Sequence, residues 1–287
     1  MTSDTSSPHL LVLGATGAIG RELLRRLAHA TPPVHVVALT RQASTPFEVD
    51  SPVEWRRGDI FRDTITDRVD TVVSAGPLDG LVSWLERQRP QGIARVVALS
   101  STSVHVKRDS LDARERDLAA RLADGERRLA EWCATAGARW TVLRPTLVYG
   151  PGDRNLSRIA AMATRFGAFA LPRGARGRRQ PVHAEDVAGA LLACTDARAA
   201  FDRAYDLPGG ETLAYDEMVA RLLALQPAQP RLLRLPDALF RFGAAIARPF
   251  VPGATPAVLA RLREDLVFDA GDAQRDFGYA PRAFQPR

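Results

Sequence analysis

Apolar positions along the first half of the chain alternate between two different periods. Leu10–Leu13, Val34–Leu39, Val69–Ser74 and Arg95–Ser100 read as strands, and the nearly continuous apolar runs Val34–Leu39 and Val96–Leu99 are those of strands buried on both faces, as in a parallel sheet. Shorter runs at Val53–Trp55 and Thr141–Arg144 extend the set. Between them, apolar residues recur at helical spacing over Ala18–Ala30, Gly80–Arg89 and Asp112–Ala136. Parallel strands need crossover helices, so this alternation predicts an α/β fold with a doubly wound parallel sheet.

The pattern changes after Pro145. Proline, glycine and arginine become frequent, and the elements become shorter. We expect a sheet domain over 1–150 and a small C-terminal substrate lobe over 151–287, interleaved with the end of the sheet. Leu235–Pro252 predicts an apolar helix of about four turns. Such a helix lies on a membrane surface, caps a pocket or packs in a dimer interface; its thin polar face disfavours the first. No apolar run approaches the roughly 18 residues of a membrane span.

Composition narrows the partners. The 287 residues are 46% hydrophobic and 25% charged, ordinary for a globular protein. The net charge of +6 at first suggests nucleic acid. However, Lys107 is the only lysine, and the arginines are interleaved with acids, as in Arg114-Glu115-Arg116-Asp117. That pattern describes solvated helix faces rather than a binding stripe, so no nucleic-acid partner is expected. The cluster Arg173 to Arg179, broken by glycines, reads as a loop, exposed or facing an anionic substrate. Cys133 and Cys194 lack metal-ligand spacing and read as buried reduced thiols. The first nine residues are polar and have no apolar core, so a secretory signal is not expected and the cytoplasm is.

The most specific stretch is His9-Leu10-Leu11-Val12-Leu13-Gly14-Ala15-Thr16-Gly17-Ala18-Ile19-Gly20. A strand feeds three glycines spaced three apart, and Ile19, Leu23, Leu24 and Leu27 continue at helical spacing. Glycines in this context let the backbone approach a pyrophosphate at the positive end of a helix. Gly14, Thr16, Gly17, Ala18, Ile19 and Gly20 are therefore candidate cofactor contacts.

Several later motifs occur in a consistent order. Gly58-Asp59-Ile60 follows the third strand, and Ser74-Ala75-Gly76 ends the fourth. Leu99-Ser100-Ser101-Thr102-Ser103-Val104-His105 ends the fifth, and Leu143-Arg144-Pro145-Thr146-Leu147-Val148-Tyr149-Gly150-Pro151-Gly152 ends the sixth. Pro181-Val182-His183-Ala184-Glu185-Asp186 and a closing Gly278-Tyr279-Ala280-Pro281-Arg282 come after. From Leu10 to about Arg282 the chain resembles the extended short-chain dehydrogenase/reductase family, also called the NAD-dependent epimerase/dehydratase family. The resemblance implies a Rossmann-type fold and often a homodimer. It places Asp59 and Ile60 near the adenine, Ala75, Gly76 and Ser100 along the cofactor, and Ser101 at the substrate carbonyl.

The cofactor is expected to be NADP(H) rather than NAD(H). NAD is commonly held by a carboxylate at the tip of the second strand, whereas an arginine accommodates the 2′-phosphate of NADP. Here the strand ends Leu39-Thr40-Arg41, and Glu48 and Asp50 come too late.

The chain departs from the family at its proton relay. Members use a Ser or Thr with a Tyr and a Lys one helical turn apart, the ammonium lowering the tyrosine pKa. Aligning Glu126 with the family's glutamate puts Leu118 and Leu122 at those two places. No other register helps, because the first tyrosine is Tyr149 and the only lysine is Lys107. Candidates to replace the relay by residue type are His105, Lys107, Tyr149 and His183. Of these, Tyr149 at the substrate mouth is carried forward beside Ser101, packing is expected for both histidines, and solvent for Lys107.

The resemblance implies a nucleotide-sugar substrate, and Arg144, Asn155, Arg178 and Arg179 lie where a diphosphate would pass. Two readings stay open: an oxidoreductase or epimerase acting on a nucleotide sugar or similar carbonyl compound, and an NAD(P)-binding regulatory or assembly protein without turnover. An open pocket lined by Ser101, Tyr149 and arginines beside the nicotinamide marks the first, a pocket filled with leucines the second.

Overall fold

The computed structural model describes residues 9–31, 34–42, 53–63, 69–88, 90, 92–240 and 256–286. The chain begins with β1 (His9–Leu13), α1 (Ala18–Ala28), β2 (His35–Thr40), β3 (Val53–Arg57), β4 (Thr71–Ser74) and α2 (Leu78–Gln88). It continues through β5 (Arg95–Leu99), α3 (Ser103–Val106), α4 (Ala113–Ala136), β6 (Arg139–Pro145), β7 (Val148–Tyr149) and α5 (Leu156–Phe166). Next come β8 (Ala168–Pro172), β9 (Arg178–Arg179), β10 (Val182–His183), α6 (Ala184–Asp196), β11 (Arg203–Leu207), β12 (Leu213–Ala214) and α7 (Tyr215–Ala224). Last are β13 (Arg231–Leu235), α8 (Pro256–Arg261) and α9 (Gly271–Phe277).

Seven parallel strands form the central sheet in the order β11-β6-β5-β4-β1-β2-β3. The chain builds outward from β1 in one direction, then returns and builds outward from β4 in the other. The crevice between β1 and β4 is thus the topological switch point, where such sheets bind ligands. The seventh strand, β11, is drawn from beyond residue 150, so the later half of the chain closes the sheet. Its neighbour in sequence, α6, packs beside α1.

The continuous apolar runs explain the core. All five residues of β5 are buried, and Leu11 and Val12 of β1 have no exposed surface. One core cluster joins the sheet to α1 and α6, a second joins it to α2 and α4, and a third sits in the lobe around α5 and α7. Arg95, in the centre of this apolar setting, is held by the Cys194 carbonyl at 2.6 Å and stacks on Phe201.

Two expectations need correction. Leu235 ends a strand, since Arg231–Leu235 pairs in parallel with β8, and the expected helix begins two residues later, at Asp237. The remainder of the expected helix, beyond Phe240, lies outside the described residues. The Arg173 to Arg179 stretch is a loop only in its first part, because Arg178 and Arg179 pair antiparallel with β12. Among the described residues no helix is long and apolar enough to cross a membrane.

Candidate functional site

The glycine loop sits at the switch point. Gly14 has φ +73°, a conformation that favours glycine, and a Cβ there would stand 2.5 Å from Gly76 N. A Cβ on Gly20 would come 2.2 Å from the Gly14 carbonyl oxygen. These two glycines are required by the contact between the β1 turn, the β4 turn and the first turn of α1. Gly17 differs: it is exposed, and a Cβ there meets only the Gly14 oxygen at 3.4 Å. Its missing side chain therefore leaves space beside the helix start.

Gly17 is the N-cap of α1 and supplies no side chain to satisfy the first amides, and the first turn contains no acid. Helix geometry leaves the N–H groups of Ala18, Ile19 and Gly20 without intrahelical acceptors. Thr16 contributes its carbonyl to Arg21 Nε at 3.2 Å, bracing the loop. Open space, unclaimed amides and the positive end of the helix dipole fit a pyrophosphate.

The neighbouring strand ends complete the crevice. Arg41 stands exposed directly after β2, and Thr40 accepts the Gly58 N–H at 2.8 Å, drawing the β3 end alongside. Asp59 shapes a tight turn, accepting from Phe61 N at 3.0 Å. Ile60 and Phe61 pack against Gly80 at the start of α2, where a Cβ would lie 2.7 Å from the Phe61 ring. Ala75 N–H bonds the Leu13 carbonyl at 2.9 Å, seating Ala75 and Gly76 against the glycine loop.

At the end of β5 the two serines differ. Ser100 Oγ donates to Glu126 Oε1 at 2.5 Å, so its side chain is committed to α4 rather than to a cofactor. Ser101 Oγ accepts the Ser103 N–H at 3.2 Å and lines a cavity of about 850 Å³ between the sheet and the lobe. Among the described residues its hydroxyl proton has no protein acceptor.

Two expected site residues lie away from the cavity, and a third lines it with its donors already engaged. Tyr149 is 1% exposed, and its hydroxyl accepts from Gln285 N at 3.1 Å and donates to the Ala283 carbonyl at 3.4 Å. Its ring packs edge-on against His183 and Phe284, so it anchors the C-terminal segment and takes no part in the cavity. Burial raises its pKa, which further disfavours proton transfer. Arg144 is held by Glu126, with Nε at 2.9 Å from Oε1, and does not line the cavity. Arg179 lines it, but its guanidinium donates to the carbonyls of Arg178 at 2.8 Å, Glu264 at 2.7 Å and Arg261. Arg178 pairs with Asp265. Asn155 does line the cavity, at the N-cap of α5, with no side-chain cap bond.

Lys107 departs from the expectation of solvent. It caps α3, lines the same cavity as Ser101 and is partly buried. Desolvation holds its pKa below 10.5, with Glu115 pulling upward and Arg261 downward. The forked ion pair between Glu115 and Arg261, of which Arg261 lines the cavity, joins residues 146 apart and leaves no local sequence signal. His183 caps α6 through Nδ1, and His105 is exposed beside Asp206 at 3.2 Å. Leu118 and Leu122 fall on the Glu126 face of α4 by helical spacing and are partly exposed.

Comparison with known proteins agrees with this geometry. A family model described as NAD(P)H-binding matches residues 14–198. A ceramide reductase of Caulobacter vibrioides (strain NA1000 / CB15N) is 27% identical over 239 residues, 79% of this chain and 73% of its own. The epimerase Mth375 of Methanothermobacter thermautotrophicus has a TM-score of 0.72 at 18% identity, covering 97% of this chain and 89% of that one. WbmF of Bordetella bronchiseptica, solved with NAD+ and UDP, has a TM-score of 0.66 at 18% identity, covering 97% and 89%.

Proposed function

Because this chain belongs to the NAD(P)H-binding family, we propose that it is an NADP(H)-dependent reductase whose carbonyl substrate enters the cavity beside Ser101. The carrying observation is that cavity: about 850 Å³ of open volume reaches Ser101 at the carboxyl end of the sheet. A cofactor-binding protein without turnover has no need of it, although Leu118 and Leu122 favour that second reading.

When bound, the nicotinamide supplies a hydride. The residues of the chain do the rest. Gly17 and the α1 amides hold the pyrophosphate, and Arg41 pairs with the 2′-phosphate, which is the basis for preferring NADP(H). Ser101 donates its hydroxyl proton in a hydrogen bond to the substrate carbonyl oxygen, orienting and polarising it. Lys107, on the same wall, supplies positive charge towards that oxygen and the proton that completes the hydroxyl. Reduction rather than epimerisation is supported by the ceramide reductase likeness. Nucleotide sugars are the substrate class expected from the sequence, yet Arg144 and Arg179 have their donors engaged within the protein.

Calorimetric titration with NADPH and NADH, followed by NADPH oxidation in the presence of carbonyl compounds, tests this reading. Tighter binding of NADPH, and turnover lost in Ser101→Ala, are expected. No binding of either nucleotide overturns it.

A further inference from the structure

The inner lining of the cavity defines a substrate class. Leu147, Leu156, Ile159, Met162, Phe169 and Phe268 form apolar walls from the sheet and from both sides of the lobe. On α5, Leu156, Ile159 and Met162 are spaced three apart and present one continuous apolar face. Among the described residues no carboxylate lines the volume.

The polar groups in these walls are largely engaged with each other. Thr102 Oγ1 bonds the Pro145 carbonyl at 3.3 Å, Thr146 Oγ1 bonds the Gln180 carbonyl, and Gln180 Oε1 accepts the Phe268 N–H at 2.7 Å. Arg179 is engaged by three carbonyls and Arg261 by Glu115. Arg158 stands exposed at the rim. Sugar hydroxyls and a diphosphate buried here would meet few donors or acceptors, and unpaired burial costs free energy. The polar groups left for a ligand are those of Ser101, Lys107 and Asn155, the Ser103 and Tyr215 hydroxyls, the Gln180 amide nitrogen and Arg158 at the rim, set in walls that are otherwise apolar.

Phe166 and Leu239, both lining the cavity, are 71% and 54% exposed. The volume therefore has a polar station at Ser101 and an apolar rim that continues the apolar walls out to the surface. Ketone and tail together match this polarity.

We infer that the substrate is a long-chain aliphatic ketone, its carbonyl at Ser101 and its chain lying along α5 towards Phe166 and Leu239. This rests on the reductase reading. In the step, a hydride from NADPH forms the new C–H bond at the carbonyl carbon. The carbonyl π pair moves to oxygen and takes a proton, giving a secondary alcohol and NADP+.

The test pairs turnover with binding. NADPH oxidation is measured with straight-chain methyl ketones of increasing length, and displacement of cis-parinaric acid is followed by fluorescence with the same ketones and with UDP-glucose. We expect kcat/KM to rise about fourfold per added methylene until the apolar walls are filled. The fatty acid probe is displaced by long ketones and not by UDP-glucose. Met162→Trp shortens the longest effective ketone while NADPH binding is unchanged, and Phe166→Asp, at an exposed position that folding tolerates, weakens only the longest ketones. A flat length series together with displacement by UDP-glucose overturns the inference. Length-dependent displacement without NADPH oxidation by any ketone upholds the chain-binding cavity and overturns the reductase reading instead.

Discussion

Arg144 grips Glu126 through two nitrogens at the carboxyl end of the sheet, and the same carboxylate accepts the Ser100 hydroxyl at 2.5 Å. Arg144 comes from β6, Glu126 from α4 and Ser100 from the β5 end, so one carboxylate joins three elements beside the crevice. The side chains are 20% and 12% exposed, which leaves little water to replace a lost partner. Glu126→Gln should destabilise the fold by about 1–2 kcal/mol, because it removes the forked pair and leaves the arginine with Asp206, at 3.8 Å, as its carboxylate partner. Urea unfolding measures this. The double variant Glu126→Gln, Arg144→Met should recover part of the loss, since the interaction is counted once.

The three glycines of the loop should separate on substitution. Gly14→Ala and Gly20→Ala force a Cβ to within 2.5 Å and 2.2 Å of backbone, so both should lower stability by about 3 kcal/mol or more. Gly17→Ala meets only an atom at 3.4 Å and should leave the melting temperature almost unchanged. Its methyl group projects beside the helix amides, so NADPH affinity should fall at least tenfold. Equal NADPH affinity in Gly17→Ala and the parent would mean that the loop is a tight turn and holds no pyrophosphate.

Arg41 gives a selectivity test. It is exposed, so its contribution is that of a charge-assisted bond shared with water. Arg41→Ala should weaken NADPH binding by roughly tenfold and leave NADH binding unaltered. Parallel calorimetric titrations of the two nucleotides check this, and a matched loss for both would remove Arg41 from the 2′-phosphate.

The parts of this molecule legible in its sequence are those set by neighbours along the chain. The β1–α1 turn is readable because strand, glycines and helix are contiguous, and β1, β2 and β5 because burial on both faces leaves an unbroken apolar run. β11 was hidden, since Arg203-Ala-Tyr-Asp-Leu mixes polar residues at a sheet edge. Site residues judged by type fared worse for the same reason. Tyr149 looks available until Gln285, 136 residues later, donates to its hydroxyl. Arg179 looks like a phosphate ligand until the carbonyls of 261–264 engage it. Lys107 looks solvated until residues brought from the far end of the chain wall it in.

That enclosure gives Lys107 a pH signature. Burial holds its native value below the 10.5 of an ordinary lysine. At low pH the side chain is charged in both folded and unfolded chains, and folding carries the whole desolvation penalty. As pH rises through the depressed native value, the folded form releases its proton first, and the penalty diminishes until the unfolded value is reached. Lys107→Met should therefore stabilise the protein at neutral pH, with a gain that shrinks as pH approaches 10.5. For catalysis the sign is opposite, because the ammonium is the active form. NADPH-dependent reduction should decline on a basic limb centred below 10.5, and Lys107→Arg should move that limb to higher pH while retaining part of the rate. A pH–rate profile of kcat/KM decides the matter: an identical basic limb in the parent and in Lys107→Arg would assign the proton to another group.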